Sequence, residues 1–205
     1  MDNLFSIKDK IVLVTGAGKG IGHYLSIEMA KRNAIVYGLD VKFSEKIQKQ
    51  FLENLFQTTC DVTNTAKFYR VCEKIFLKHK KIDVLINNAG VSYPEFGKKF
   101  YSEENWEKTL AVNLTSSFTC SQAVAKFMIK NKGGSIINIT SINAELGFPD
   151  NPAYVASKGG LKMLSKALAR DWGKFGIRVN NVGPGYIKTD MTKKTYQNKK
   201  LRKLR

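Results

Sequence analysis

Acidic residues are scarce in this chain: 17 Asp and Glu stand against 34 Lys and Arg, a net charge of +17 on 205 residues. Cysteine is sparse as well. Cys60, Cys72 and Cys120 are odd in number and far apart, and none has a second Cys or a His at metal-ligand spacing. That pattern suggests neither a disulfide framework nor a zinc site, and no metal is expected; buried thiols in a reducing, cytoplasmic compartment are. The start, Met1 to Lys8, has no apolar stretch behind basic residues, and no window is apolar for long enough to span a bilayer, so no signal peptide and no membrane partner are expected. Internal repeats, linkers and breaks in composition are also missing. The chain reads as a single domain over 1–205, and its 43% hydrophobic and 25% charged residues suit a packed core.

The excess of positive charge raises nucleic acid, anionic membrane or an anionic substrate as partners. Its distribution matters more than its sum. Residues 188–205 carry eight cations against Asp190 alone and supply +7 of the total, while the remaining lysines are scattered over amphipathic segments. No aromatic-interleaved basic ribbon or recognisable nucleic-acid motif accompanies them, so a solvated Lys-rich surface is preferred to a specific nucleic-acid face.

What is present is an alternation of short apolar runs with helical patterns. Ile11–Thr15 is continuous and β-branched, as in a strand buried on both faces. Further strands are expected at 34–39, 55–60, 82–86, 135–140 and 177–182. Helices are expected from Tyr24 to Lys31, over the polar segment 43–54, over 63–80 with Phe68, Val71, Cys72, Ile75 and Phe76 on one stripe, as one long helix over 102–130, and from Tyr154 to about Trp172. Strands alternating with helices indicate an α/β fold on a parallel sheet.

Glycines follow the first strand at once, in Thr15-Gly16-Ala17-Gly18-Lys19-Gly20-Ile21-Gly22. Strand, glycine turn and helix N-terminus together form an anion site from free backbone amides. A P-loop is excluded because Lys19 is followed by Gly20, and the G-x-G-x-x-G fingerprint fails where Ile21 stands; Gly16, Gly20 and Gly22 are the glycines that fit. The second strand ends in Asp40, where an acid hydrogen-bonds adenosine ribose hydroxyls and repels a 2′-phosphate. That favours NAD over NADP, and Lys19 pulls the other way. Asp61 either accepts from adenine or caps the helix beginning near Thr63.

Asn88, Ala89 and Gly90 follow Asn87 at a strand's carboxyl end, where small residues suit close backbone approach to a ligand. Asn113 sits inside the long helical segment against its propensity, which makes it a candidate for backbone or water bonding at a kink. Ser141 ends the fifth strand and either donates to a developing oxyanion or caps a turn. Tyr154 and Lys158 are four apart near the start of a helix and share one face, so an ammonium can stand beside a phenol, lower its pKa and make it a general acid/base.

Taken together and in order, these motifs resemble the short-chain dehydrogenase/reductase family over essentially the whole chain. Residues 15–22 are similar to its cofactor turn, Asp61-Val62 to its adenine contact, and Asn87 to Gly90 to its Asn-Asn-Ala-Gly element. Pro184-Gly185 with Ile187 and Thr189 resembles the segment at the nicotinamide end. The resemblance implies a Rossmann-like, doubly wound sheet of six strands in order 3-2-1-4-5-6 with helices on both faces. It also implies hydride transfer between NAD, or less favourably NADP, and a secondary alcohol or ketone. Asn113, Ser141, Tyr154 and Lys158 fall at the family's catalytic positions: Tyr154 exchanges the proton, Lys158 holds the nicotinamide ribose, Ser141 bonds the substrate oxygen and Asn113 anchors a water.

Within the family, the stretch from Ser141 to Tyr154 is most similar to gluconate 5-dehydrogenases and related sugar and polyol dehydrogenases, with Glu145 facing sugar hydroxyls or solvent. The beta-ketoacyl carrier-protein reductases, which use NADPH, are the nearest alternative. The family pattern normally continues beyond Thr189 with a substrate-covering helical pair and a seventh strand. Here 188–205 is expected to be the basic, mobile start of that covering segment in a truncated chain. A homo-oligomer is implied for the family's full-length form, and a dinucleotide-binding module without turnover is the alternative of another class.

Overall fold

The computed structural model describes residues 5–48 and 52–197. Its frame is six parallel strands: β1 (Ile11–Thr15), β2 (Ile35–Asp40), β3 (Leu55–Thr59), β4 (Val84–Asn87), β5 (Gly134–Ile139) and β6 (Ile177–Val182). They lie side by side in the order β3-β2-β1-β4-β5-β6, as the resemblance implied. The switch between β1 and β4 opens a crevice at the carboxyl ends of the strands, where ligands bind in sheets of this kind.

Burial on both faces explains why β1 is apolar throughout. Ile11 and Leu13 enter a large core shared with α3 (Thr65–His79), α5 (Ser116–Lys130) and α6 (Pro152–Trp172), around Phe68, Leu85, Met128 and Ile136. Val12 and Val14 point the other way, into a smaller core with Ala30 and Ala34 that includes α1 (Gly20–Lys31). The period of two along the strand thus feeds two helical layers. At the far edge, β6 buries Ile177 and Val179 while Arg178, Asn180 and Val182 are exposed.

Three helical expectations are corrected. In the segment 43–54, α2 (Glu45–Gln48) is helical, 43–44 and 52–54 are not, and 49–51 lie outside the described residues. The helix after β3 is capped by Asn64, whose side chain accepts from the Lys67 amide, and not by Asp61. The long helix over 102–130 is broken: α4 (Glu103–Leu110), capped by Ser102, runs into one π turn at Ala111–Thr115 before α5 begins. The last described helix is α7 (Lys193–Gln197). Residues 198–205, with five of the eight cations of the basic tail, lie outside the described residues.

A buried polar ladder crosses the sheet just below the crevice. Asn87, Asn138 and Asn181 are in register on β4, β5 and β6. Asn87 Nδ2 donates to Asn138 Oδ1 at 2.8 Å, Asn138 Nδ2 to Ser165 Oγ at 2.7 Å, and Ser165 Oγ to Asn181 Oδ1 at 2.6 Å. Asn87 also reaches Ser121 on α5, so the ladder ties three strands to both neighbouring helices. Asn138→Leu removes both of its bonds, while Asn87 keeps Ser121 and Ser165 keeps Asn181; urea unfolding should show a loss of about 2 kcal/mol.

Candidate active site

The crevice is a cavity of about 650 Å³, and it brings most of the expected site residues together. Gly16, Lys19, Gly20, Ile21 and Asp40 line one end, Asp61 and Val62 the adjoining wall, Asn88 to Gly90 the floor. Ser141, Tyr154 and Lys158, with Pro184, Gly185, Ile187 and Thr189, line the other end. Gly22 and Asn113 are not on its wall. A Cβ at Gly22 would lie 2.3 Å from Asn88 Nδ2, so this glycine lets the turn close on the strand behind it.

At the glycine end, Gly16 and Gly20 have φ of 67° and 58°, the left-handed region that glycine adopts without strain. Thr15 is the strap: its Oγ1 accepts from the amides of Asn88 and Ala89 at 3.0 and 3.1 Å, while Asn88 Nδ2 donates to the carbonyls of Thr15 and Gly16. Turn and floor are therefore one unit. α1 enters with no side-chain cap, which leaves its first-turn amides for an anion.

Gly18, which spacing did not single out, donates its N–H to Asp40 Oδ2 at 2.7 Å; a Cβ there would lie 2.2 Å from the Lys42 carbonyl oxygen. Asp40 Oδ1 accepts from the Lys42 amide. The second strand's acid is thus held rigidly at the cavity edge, with the exposed Lys19 and Lys42 beside it. Asp61 accepts from the backbone and hydroxyl of Thr63, a local turn, and still lines the cavity. A glycine turn closed on its neighbours, an uncapped helix start and a fixed acid at the end of β2 fit an elongated dinucleotide.

At the other end, Asn113 is completely buried in the π turn, and its amide grips Val91: Oδ1 accepts from the Val91 N–H at 2.8 Å and Nδ2 donates to the Val91 carbonyl at 3.0 Å. This demand, with Ser116 Oγ donating to the Val112 carbonyl, accompanies the break between α4 and α5. The expected Asn kink is present, with backbone as its partner. Lys158 is 4% exposed and its Nζ donates to the Ile139 carbonyl at 2.7 Å. Burial lowers its pKa to about 8.

The expectation that Lys158 depresses Tyr154 is corrected. Burial raises the Tyr154 pKa above the ordinary phenol value, a hydrogen bond with Ser141 opposes it, and the nearby Tyr186 raises it further. Lys158 Nζ stands 5.7 Å from the Tyr154 ring centre and is not among the groups that shift the phenol. Ser141 caps a 3₁₀ turn, its Oγ accepting from the Asn143 amide at 3.1 Å, and also bonds Tyr154. Glu145 is paired with Lys162 Nζ and is not on the cavity wall, so it does not face a substrate there. Sequence reasoning missed Val91, Tyr93, Lys108, Val112 and Met191 on the wall. Their only signal was proximity in the chain to motif residues. Among the described residues no three His, Cys, Asp or Glu side chains gather as around a metal ion, and no helix is long and apolar enough to cross a membrane.

The chain matches the family model described as short chain dehydrogenase over residues 10–200. It is 35% identical over 199 residues to 5-keto-D-gluconate 5-reductase of Escherichia coli (strain K12), covering 94% of this chain and 78% of that one. It is 34% identical over 199 residues to a 3-oxoacyl-acyl-carrier-protein reductase of Thermotoga maritima, covering 92% and 78%. A crystal structure of a gluconate 5-dehydrogenase from Burkholderia cenocepacia J2315, in complex with NADP and tartrate, superimposes with a TM-score of 0.86 at 30% identity, covering 96% of this chain and 79% of that one. With a cavity whose glycine turn fits a dinucleotide at one end and a group of Tyr154, Ser141 and the buried Lys158 at the other, the chain belongs to the short-chain dehydrogenase/reductase family and is an oxidoreductase that uses a nicotinamide dinucleotide.

Proposed function

We propose that the enzyme interconverts a secondary alcohol and a ketone on a sugar acid, sugar or polyol, with Tyr154 as the proton-transferring residue. The observation that carries this reading is the convergence of Ser141, Tyr154 and Lys158 at one end of the cavity that begins at the glycine turn. A bound nicotinamide dinucleotide supplies the hydride-donating or hydride-accepting carbon. Gly16, Lys19, Gly20, Ile21 and the amides of the α1 entrance hold its phosphates, with Gly22 closing the turn behind them. Asp40 takes the adenosine ribose and Asp61-Val62 the adenine. Asn88, Ala89 and Gly90 pack beneath it, and Pro184, Gly185, Ile187 and Thr189 face its nicotinamide end.

The raised pKa of Tyr154 keeps its proton in place near neutrality, so the phenol donates to a ketone oxygen during reduction, and in reverse the phenolate takes the proton from the alcohol. Ser141 hydrogen-bonds the same oxygen. The Lys158 ammonium holds the nicotinamide ribose. A Cβ at Gly90 would lie 3.4 Å from Asn113 Oδ1 and 3.7 Å from Lys158 Nζ, so both groups border one small space, and there Asn113 keeps a water for Lys158. A second substrate class is favoured by one observation: Val91 and Met191 line the cavity and Glu145 is engaged elsewhere, which suits a beta-ketoacyl thioester better than a polyol. A homo-oligomer belongs to this reading, and so does a cytoplasmic setting, supported by three free and buried cysteines.

Tyr154→Phe should bind NADH with affinity within about twofold of wild type and lose about 10²–10⁴ in turnover, read by parallel fluorescence titration and a 340 nm assay with 5-keto-D-gluconate and acetoacetyl thioesters. Equal turnover would remove the mechanism. For the cofactor, Asp40 repels a 2′-phosphate and Lys19 attracts one; NAD is the preferred partner, and Asp40→Ala should raise the NADP-to-NAD ratio of kcat/KM by about tenfold. For pH, the Lys158 ammonium is the binding form. Dinucleotide affinity should therefore fall as pH rises through about 8, and in Lys158→Met that fall should be absent in the same titration.

A further inference from the structure

We infer that Asn151 and Ser92 are positioning residues for Tyr154, closing a hydrogen-bond circuit that grips its backbone at both the N–H and the carbonyl. Tyr154 is only the third residue of α6, in a first turn whose amides have no partner within the helix. Lys158, one turn deeper, is anchored by the Ile139 carbonyl. The separation of phenol and ammonium therefore depends on what holds the first turn from outside.

The circuit can be followed bond by bond. The Tyr154 N–H donates to Asn151 Oδ1 at 3.4 Å, and Asn151 Nδ2 donates to Ser92 Oγ at 2.8 Å. Ser92 is peptide-bonded to Val91, whose N–H and carbonyl are both held by the Asn113 amide. Asn113 Nδ2 also donates to Ser157 Oγ at 3.1 Å, and Ser157 Oγ donates to the Tyr154 carbonyl at 2.8 Å, which returns the path to its origin. Asn151, Asn113 and Ser157 are buried, so these bonds are made away from competing water.

The residue before Asn151 adds a second clamp. Asp150 has φ of 65°, uncommon for a non-glycine residue, and is held there by its carbonyl accepting from the Glu95 N–H at 2.8 Å and its Oδ1 from the Gly97 N–H at 3.4 Å. The loop from Val91 to Gly97, which brings Val91 and Tyr93 to the cavity, is thereby docked on the start of the catalytic helix. A substrate that presses on this loop acts through Ser92 and Asn151 on the placement of the phenol. An error of an ångström there is worth up to about a hundredfold in rate.

The inference rests on the proposed role of Tyr154, and its test separates the two. Asn151→Ala, Asn151→Asp, Ser92→Ala and Tyr154→Phe are compared with wild type by hydrogen exchange at the Tyr154 amide, NADH fluorescence titration, and kcat and KM with 5-keto-D-gluconate. Asn151→Ala should exchange about tenfold faster, bind NADH normally and lose kcat by about tenfold or more with little change in dinucleotide KM. Ser92→Ala cuts the circuit without touching the cap and should lower kcat with the amide still protected. Asn151→Asp keeps an acceptor for the Tyr154 N–H and for the Ser92 hydroxyl, and should restore both readouts. An Asn151→Ala protein with wild-type exchange, or with normal kcat while Tyr154→Phe is inactive, overturns the inference. Activity in Tyr154→Phe overturns the function beneath it.

Discussion

The hydrogen bond from the buried Lys158 ammonium to the Ile139 carbonyl is the constraint around which the site is arranged. A cation almost fully removed from water is costly, and burial lowers its pKa to about 8. The fold tolerates it because the first turns of α6 bring Lys158 to the carboxyl end of β5, where the Ile139 carbonyl is available as the strand stops. The same placement lifts the phenol of Tyr154 above its ordinary pKa and sets it beside Ser141. One cause, desolvation, thus moves the two groups in opposite directions, bringing the lysine toward neutral pH and holding the phenol in its protonated form.

Below this point the sheet is stiffened by amides where apolar side chains would be the simpler choice. The register of Asn87, Asn138 and Asn181, with Ser121 and Ser165 between them, locks β4, β5 and β6 at matching heights. Those three strands carry the Asn88–Gly90 floor, Ser141 and the Gly183–Gly185 turn into the cavity. A satisfied buried network has one good arrangement and many poor ones, so it fixes the mouth of the site more sharply than interchangeable hydrophobic packing does.

Much of this was legible in the sequence, and the legible part has a common character. Strand runs, the glycine turn, Asp40 and the Tyr154–Lys158 pair announce themselves through local spacing, and the sheet order followed from the family resemblance those motifs carry. What was not legible depends on distant partners. The π turn at Ala111–Thr115 accompanies the grip of Asn113 on Val91, 22 residues away. Glu145 reads as a loop acid until Lys162 is brought beside it. The Gly18 amide and Asp40 meet only after β1 and β2 pair. The direction of the Tyr154 shift failed for the same reason, since spacing shows an ammonium nearby but not how much water burial removes.

The central claim is that one ligand spans both ends of the cavity, joining the glycine turn to Tyr154 and Lys158. Hydrogen exchange of the wild-type chain with and without saturating NADH tests it most directly. The account predicts simultaneous protection of residues 16–22, 61–63, 88–91 and the first turns of α6. Protection confined to the glycine turn, with Tyr154 to Lys158 unchanged, would contradict it.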